Sequence, residues 1–191
     1  MAFDLTMESL RERVGLESTD TSKDPEIEAA RDSALAMMGN YCDRIFLEST
    51  GDEEFVHKAG DTLSLRRYPV SVDPAVESED QGEITEFHLD AEAGLILLDY
   101  YAAFHKVTVT VTGGYTETGF PADLLMAFYA AFDQEYALVE GGTASGAEIE
   151  SVTVADVGTV RYNVSSASDD AGSYLPARSK SILEIYKRYQ C

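Results

Sequence analysis

Apolar and polar positions alternate most regularly at Val107-Thr108-Val109-Thr110-Val111, where three valines fall on one face of a strand and two threonines on the other. Gly113-Gly114 breaks that strand, residues 115–119 loop across, and Pro121 opens a helix that runs to about Val139. Proline suits the first helical position because its missing N–H would be unpaired there anyway. Asp123 complements the positive end of the helix dipole. Leu125, Phe128, Phe132, Tyr136 and Val139 share one face of this helix, and Leu124, Met126 and Tyr129 carry the apolar surface well round the cylinder. Such a helix must be covered on most sides, by its own domain or by a neighbouring subunit.

The same patterning predicts a short helix from Met7 to about Val14, capped by Thr6, stapled by Leu5 and Leu10, and ended by Gly15. A second helix starts at Asp24 as cap and Pro25 as first residue, with an apolar stripe of Ile27, Ala30, Ala34, Met37, Met38, Tyr41 and Ile45. Its alanines allow close packing against the helix at 121–139. Between these helices the period changes to that of strands, at about 53–58, 62–67, 70–78, 83–89, 95–98 and 107–112. Gly and Asp turns at 59–61, 79–82 and 90–94 make the insertion an antiparallel meander or small barrel. The fold class is therefore α+β. A helical frame of about four helices spans 1–140 and carries the β insertion at about 53–112. A flexible connector with a β-hairpin follows at 141–173, and a C-terminal helix at 174–191.

Charge changes the picture of that last segment. The chain carries a formal net charge of −21. Residues 1–176 hold 34 acidic and 10 basic side chains, whereas 177–191 hold one acid, Glu184, and four bases, Arg178, Lys180, Lys187 and Arg188. Between Tyr68 and Val160 the only base is Lys106. Such acidity reads either as a halotolerant or merely soluble surface, or as a body that repels nucleic-acid phosphates; on the second reading the basic end touches something different from what the body faces.

Recognisable chemistry is missing from the sequence. His57, His88 and His105 share no ligand spacing with a cysteine or carboxylate. Cys42 and Cys191 give neither a disulfide framework nor a metal pair, which fits synthesis in a reducing cytoplasm. No nucleophile elbow, phosphate loop or dinucleotide fingerprint occurs, and no apolar run reaches the span of a bilayer. No secretory signal is expected at the N-terminus. The expectation is a non-enzyme without cofactor or metal, and without a membrane segment.

The terminal segment has two readings. Ile182, Ile185, Tyr186 and Tyr189 have the i, i+3, i+4, i+7 spacing of one helix stripe. That helix either folds back on its own domain or anchors the protein in a partner's groove. Aromatic, aliphatic and basic residues behind a polar tether favour the anchor, with residues 177–191 separable from the body.

Several stretches resemble a known family. They are the Ala-rich helix from Asp-Pro-Glu, "LSLRRYPVSV" (63–72), "ITEFHLDAEAGLILL" (84–98), "VTVTVTGGYTETGFPADLLMAFYAAF" (107–132) and "YLPARSKSILEIYKR" (174–188). Together they are similar to the head-to-tail connector, or adaptor, proteins of tailed phages and related gene-transfer particles, although the smallest members lack the long strand insertion. The resemblance implies a virion protein made in the host cytoplasm. It would form a ring, commonly of twelve subunits, beneath the portal protein, and offer a surface to a stopper or tail-completion neck protein. DNA would pass through its channel without specific binding. On this reading Ile182, Leu183, Ile185, Tyr186, Lys187, Arg188 and Tyr189 dock on the portal. Leu125, Phe128, Tyr129, Phe132 and Tyr136 pack between subunits. The alternatives are another neck component, or an acidic carbohydrate-binding or hydrolytic module built on Tyr100, Tyr101 and Phe104.

Overall fold

The computed structural model describes residues 4–57, 62–80, 82–98, 105–140, 151–154, 158–161 and 175–188. Helix α1 spans Met7–Arg13. Thr6 Oγ1 accepts the Ser9 N–H at its N-terminus, and Leu5 and Leu10 are both fully buried, so the cap and staple form as the sequence implies. Helix α2 spans Asp24–Cys42. Asp24 is its first residue rather than its cap. Both carboxylate oxygens are taken by Arg11, from Nε at 2.8 Å and Nη2 at 2.6 Å, a bidentate partner that outcompetes the backbone N–H groups. The helix also ends sooner than its apolar stripe suggests. Asp43 adopts the left-handed conformation at φ 51°, and Ile45 leaves the helix to bridge Arg67.

Seven strands come next: β1 Ser49–His57, β2 Thr62–Ser64, β3 Val70–Ser78, β4 Gly82–Glu83, β5 Phe87–Asp90, β6 Leu95–Leu98 and β7 His105–Gly113. They make two antiparallel sheets, ordered β1-β7-β3-β4 and β2-β6-β5. The strand order is not that of a meander, because β7 returns to lie between β1 and β3. Its burial explains the position: Val107, Val109 and Val111 are almost completely buried, and the best-alternating strand takes the centre. The acidic β1 is left at the edge. Leu63, Ile96 and Leu98 from one sheet, Leu65 just past β2, and Val76 and the three valines from the other sheet form a single strand core.

Helix α3, Ala122–Glu140, then packs on α2. The two run antiparallel, with Lys23 bonded to Glu140 and Ser33 Oγ donating to Glu135 at 2.6 Å. A hairpin of β8, Ser151–Val154, and β9, Gly158–Arg161, forms a third, two-stranded sheet. Helix α4, Ala177–Leu183, and a 3₁₀ turn at Glu184–Tyr186 complete the described chain. The α+β class, the helical frame and the inserted antiparallel strands match the sequence reading. Of the connector expected at 141–173 only the two hairpin strands are described, and the turn at 59–61 lies outside the described residues.

The nearly all-round apolar α3 is covered chiefly by its own chain. Leu124, Phe128 and Phe132 are fully buried in the helical core, where α3 packs on α2 and α4. The five residues expected between subunits, Leu125, Phe128, Tyr129, Phe132 and Tyr136, are thus spent in the protomer's core, because α4 closes the side left open by α2. What α3 leaves outside is Met126, Leu138 and Val139. Phe128 stacks on Phe132 at 5.8 Å between ring centroids, so Phe128→Ala should cost about 3–5 kcal/mol, read as a lower midpoint in urea with an unchanged slope.

Candidate functional site

Two surfaces combine position and chemistry: the docked C-terminal segment and the outer face of the larger sheet. Helix α4 lies against α3, where the buried Ser179 Oγ donates to the Ala127 carbonyl at 2.9 Å and Leu183 is fully enclosed. The chain then crosses the mouth of the helix pair. Tyr186 OH donates to both oxygens of Asp123, at 2.8 and 2.9 Å, and its ring meets Phe46 edge-on. Cys42 Sγ donates to the Leu183 carbonyl, and the Arg188 N–H donates to the Cys42 carbonyl at 2.9 Å. Burial first, and Asp123 second, push the Tyr186 hydroxyl well above the ordinary tyrosine range. Burial also pushes the Cys42 thiol up to about 11, so it is an inert packing residue.

Beneath this segment sits Arg44, only 2% exposed and paired with no carboxylate among the described residues. Its guanidinium stacks 3.3 Å from the centroid of the Tyr68 ring and donates from Nη2 to the Tyr68 carbonyl at 2.6 Å. The rings of Phe46, Tyr115 and Tyr186 surround it at 5.1–6.0 Å. Four aromatic faces replace the missing counter-ion. Arg44 thereby clamps the helical core, the strand insertion and the C-terminal segment to one another.

The anchor stripe is therefore not presented as one helical face. The helix stops at Leu183, and the 3₁₀ turn rotates the residues after it. Leu183 is buried, Ile182 and Tyr186 are half-buried in the helical core, and only Ile185 stands clear, at 71% exposure. Lys187 pairs with Glu184 at 2.8 Å and lies over the Tyr41 ring, while Arg188 reaches Asp43 at 3.2 Å. The fold-back reading describes this segment. Residues 177–188 are a structural part of the body rather than a separable piece, because Leu183 and Ser179 complete the core around α3. Tyr189 lies outside the described residues, as do Tyr100, Tyr101 and Phe104, the aromatic cluster considered for a carbohydrate site.

The outer sheet face is acidic by register. Asp52 stands beside Thr110, and Glu54, Thr108, Glu77 and Glu83 form one cross-strand row, all of these acids exposed. Thr110 Oγ1 donates to Asp52 at 2.7 Å, and Lys106 pairs with Glu54 at 2.9 Å. On the inner face the buried Glu53 accepts the N–H groups of Arg66 and Arg67 and pairs with the Arg67 guanidinium. No group of metal-ligating side chains occurs among the described residues, and no described helix is long and apolar enough to cross a membrane.

The fold is shared with neck proteins of a phage-like particle. The chain superposes over 100% of its length on 92% of a chain from the neck of an empty gene transfer agent particle, computed with C6 symmetry, at TM-score 0.62 and 14% identity. A chain from the neck of the native particle, computed with C12 symmetry, gives TM-score 0.58 at 14% identity, and one from the whole native virion gives 0.61 at 13%, with the same coverage. No protein-family model matches the chain, and no curated protein sequence does.

Sequence reasoning missed Arg44 and the Asp123–Tyr186 pair. The available signal was local: a lone arginine between two aromatic-bearing segments, and a first-turn carboxylate with spare acceptors. Removing the hydroxyl in Tyr186→Phe should cost about 1–2 kcal/mol, because Asp123 loses a donor. A raised folded-state value means that the native state holds the Tyr186 and Cys42 protons more tightly than the unfolded chain. Stability then falls as pH rises above the ordinary values of 9.0 for the thiol and 10.0 for the phenol. Denaturation midpoints from pH 8 upward should show that fall, and Tyr186→Phe should make it shallower.

Proposed function

We propose that the protein is a structural component of the head-to-tail neck of a phage-like particle, and within it an adaptor ring seated on the portal vertex. The observation that carries this reading is the full-length likeness to neck chains, from assemblies computed with C6 and C12 symmetry. A closed ring, six- or twelvefold, would cover the apolar remainder of α3, Met126, Leu138 and Val139, which a lone protomer leaves exposed. The acidic sheet face with Asp52, Glu54, Glu77 and Glu83 would line or flank the channel. There it repels the phosphates of passing DNA, so the genome slides without adhering. The reading involves binding and ordering only, with no catalysis and no cofactor, in the virion.

The portal contact is made by the part of the C-terminal segment left outside: Ile185 as the apolar point and Lys187 beside it, with Tyr189 next in sequence. Ile182, Leu183 and Tyr186 position that point by holding the segment to α3. The stopper or tail-completion protein then meets the opposite end of the ring. Co-sedimentation with the cognate portal protein tests this. Ile185→Asp should weaken binding about tenfold or more, equivalent to 1.4 kcal/mol, without lowering the melting temperature. Leu183→Asp should instead unfold the helical core. Lys187→Glu should weaken binding more at low salt than at high salt. Full portal binding by Ile185→Asp contradicts the docking point, and binding to the tail-side neck protein alone assigns the chain to a different level of the neck.

A further inference from the structure

Two unpartnered pieces of β-structure in this chain fit one another. The first is the edge strand β1, nine residues long and, among the described residues, paired on one side only, with β7. It is the longest open edge: β2, β4 and β5 at the other sheet margins have three, two and four residues. The second is the β8–β9 hairpin, whose strands of four residues pair with each other and join neither sheet. A two-stranded hairpin alone in water is marginally stable at best, and a nine-residue open edge is a template for further pairing.

We propose that the β8–β9 hairpin of one protomer adds to the free edge of β1 on a second copy, carrying the four-stranded sheet across the subunit boundary. The inference rests on the ring reading above and names the contact that closes the ring. The hairpin's tethers are long: the eleven residue steps from Glu140 to Ser151 span at most about 36–40 Å, and the fourteen from Arg161 to Leu175 about 46–50 Å. Charge selects the pairing. Strand β1 contains Asp52, Glu53 and Glu54, so two β1 edges brought together would set carboxylates against carboxylates. The hairpin strands themselves hold no acid, with Glu150 and Asp156 just outside them, and β9 ends on Arg161, one of only two bases between Tyr68 and Arg178. Like charge therefore disfavours β1 against β1 and makes the acid-free hairpin strands the better partner. The contact is heterologous, edge to hairpin, and such contacts propagate round a ring instead of stopping at a dimer.

Amide hydrogen exchange on the full chain tests this, comparing dilute free protein with the ring assembled on its portal. The alternate amides of 49–57 that point away from β7 should exchange at least tenfold more slowly in the ring, together with those of 151–154 and 158–161. Thr159→Pro, which removes a donor from the middle of β9, should abolish the added protection of β1. A ring whose β1 amides exchange as fast as in the free chain overturns the inference and leaves the ring reading standing. So does protection, already in the free chain, of the β1 amides that point away from β7, which would place the hairpin on its own protomer. A chain that forms no ring with the portal present sinks both.

Discussion

The structure depends on one crossing. Helices α2 and α3 are packed partners separated by some eighty residues of chain, so the strand insertion must leave and return through the same end of the pair. Residues 45–47 go out and residues 113–115 come back side by side, joined by the bridge of Leu47 with Tyr115 and by backbone bonds from Tyr115 to Phe46 and from Glu48 to Tyr115. Gly114 makes that approach possible. Its φ is +111°, and a Cβ there would fall 2.6 Å from the Leu47 carbonyl. Arg44 fills the crossing from below, and the C-terminal segment closes it from the side through Tyr186 and Arg188.

That arrangement decides which groups remain for other molecules. Closing α3 consumes Leu183, Ser179 and most of Tyr186, so the C-terminal segment is foremost a piece of the core, and its exposed apolar surface narrows to Ile185. Its bases are partly spent in the same way, on Glu184 and Asp43. The sheet, by contrast, keeps four carboxylates at the surface around a single base. Glu53 is turned inward and satisfied by Arg66 and Arg67, while Asp52, Glu54, Glu77 and Glu83 face out with Lys106 beside them. A surface with that balance repels a neighbour of negative charge.

Local elements were legible wherever one short-range rule dominated. Thr6, Leu5 and Leu10 announced α1, the Val-Thr alternation announced β7, and the alanines of α2 announced its packing on α3. The sequence was less informative where two local rules competed. Asp24 could cap its helix or pair with Arg11, and the bidentate pair won. Ile45 continued a helical stripe, but Asp43 turned left-handed before it. The candidate site was least legible. A helical spacing at 182, 185, 186 and 189 says nothing about a helix ending at 183, and apolar residues of α3 look the same whether their cover is α4 or another subunit. Strand order is likewise non-local, since nothing in β1 or β7 alone says that they pair across the whole insertion.

On the proposed reading, function is a matter of place: an acidic ring around the DNA path, between portal and tail. The decisive experiment is a symmetric reconstruction of the particle vertex by electron cryo-microscopy. It should show a six- or twelvefold ring of density that this α+β fold fits, with Asp52, Glu54, Glu77 and Glu83 toward the channel and Ile185 toward the portal. A vertex that holds no copy of this fold, or a ring with the acidic sheet turned outward, would overturn the assignment.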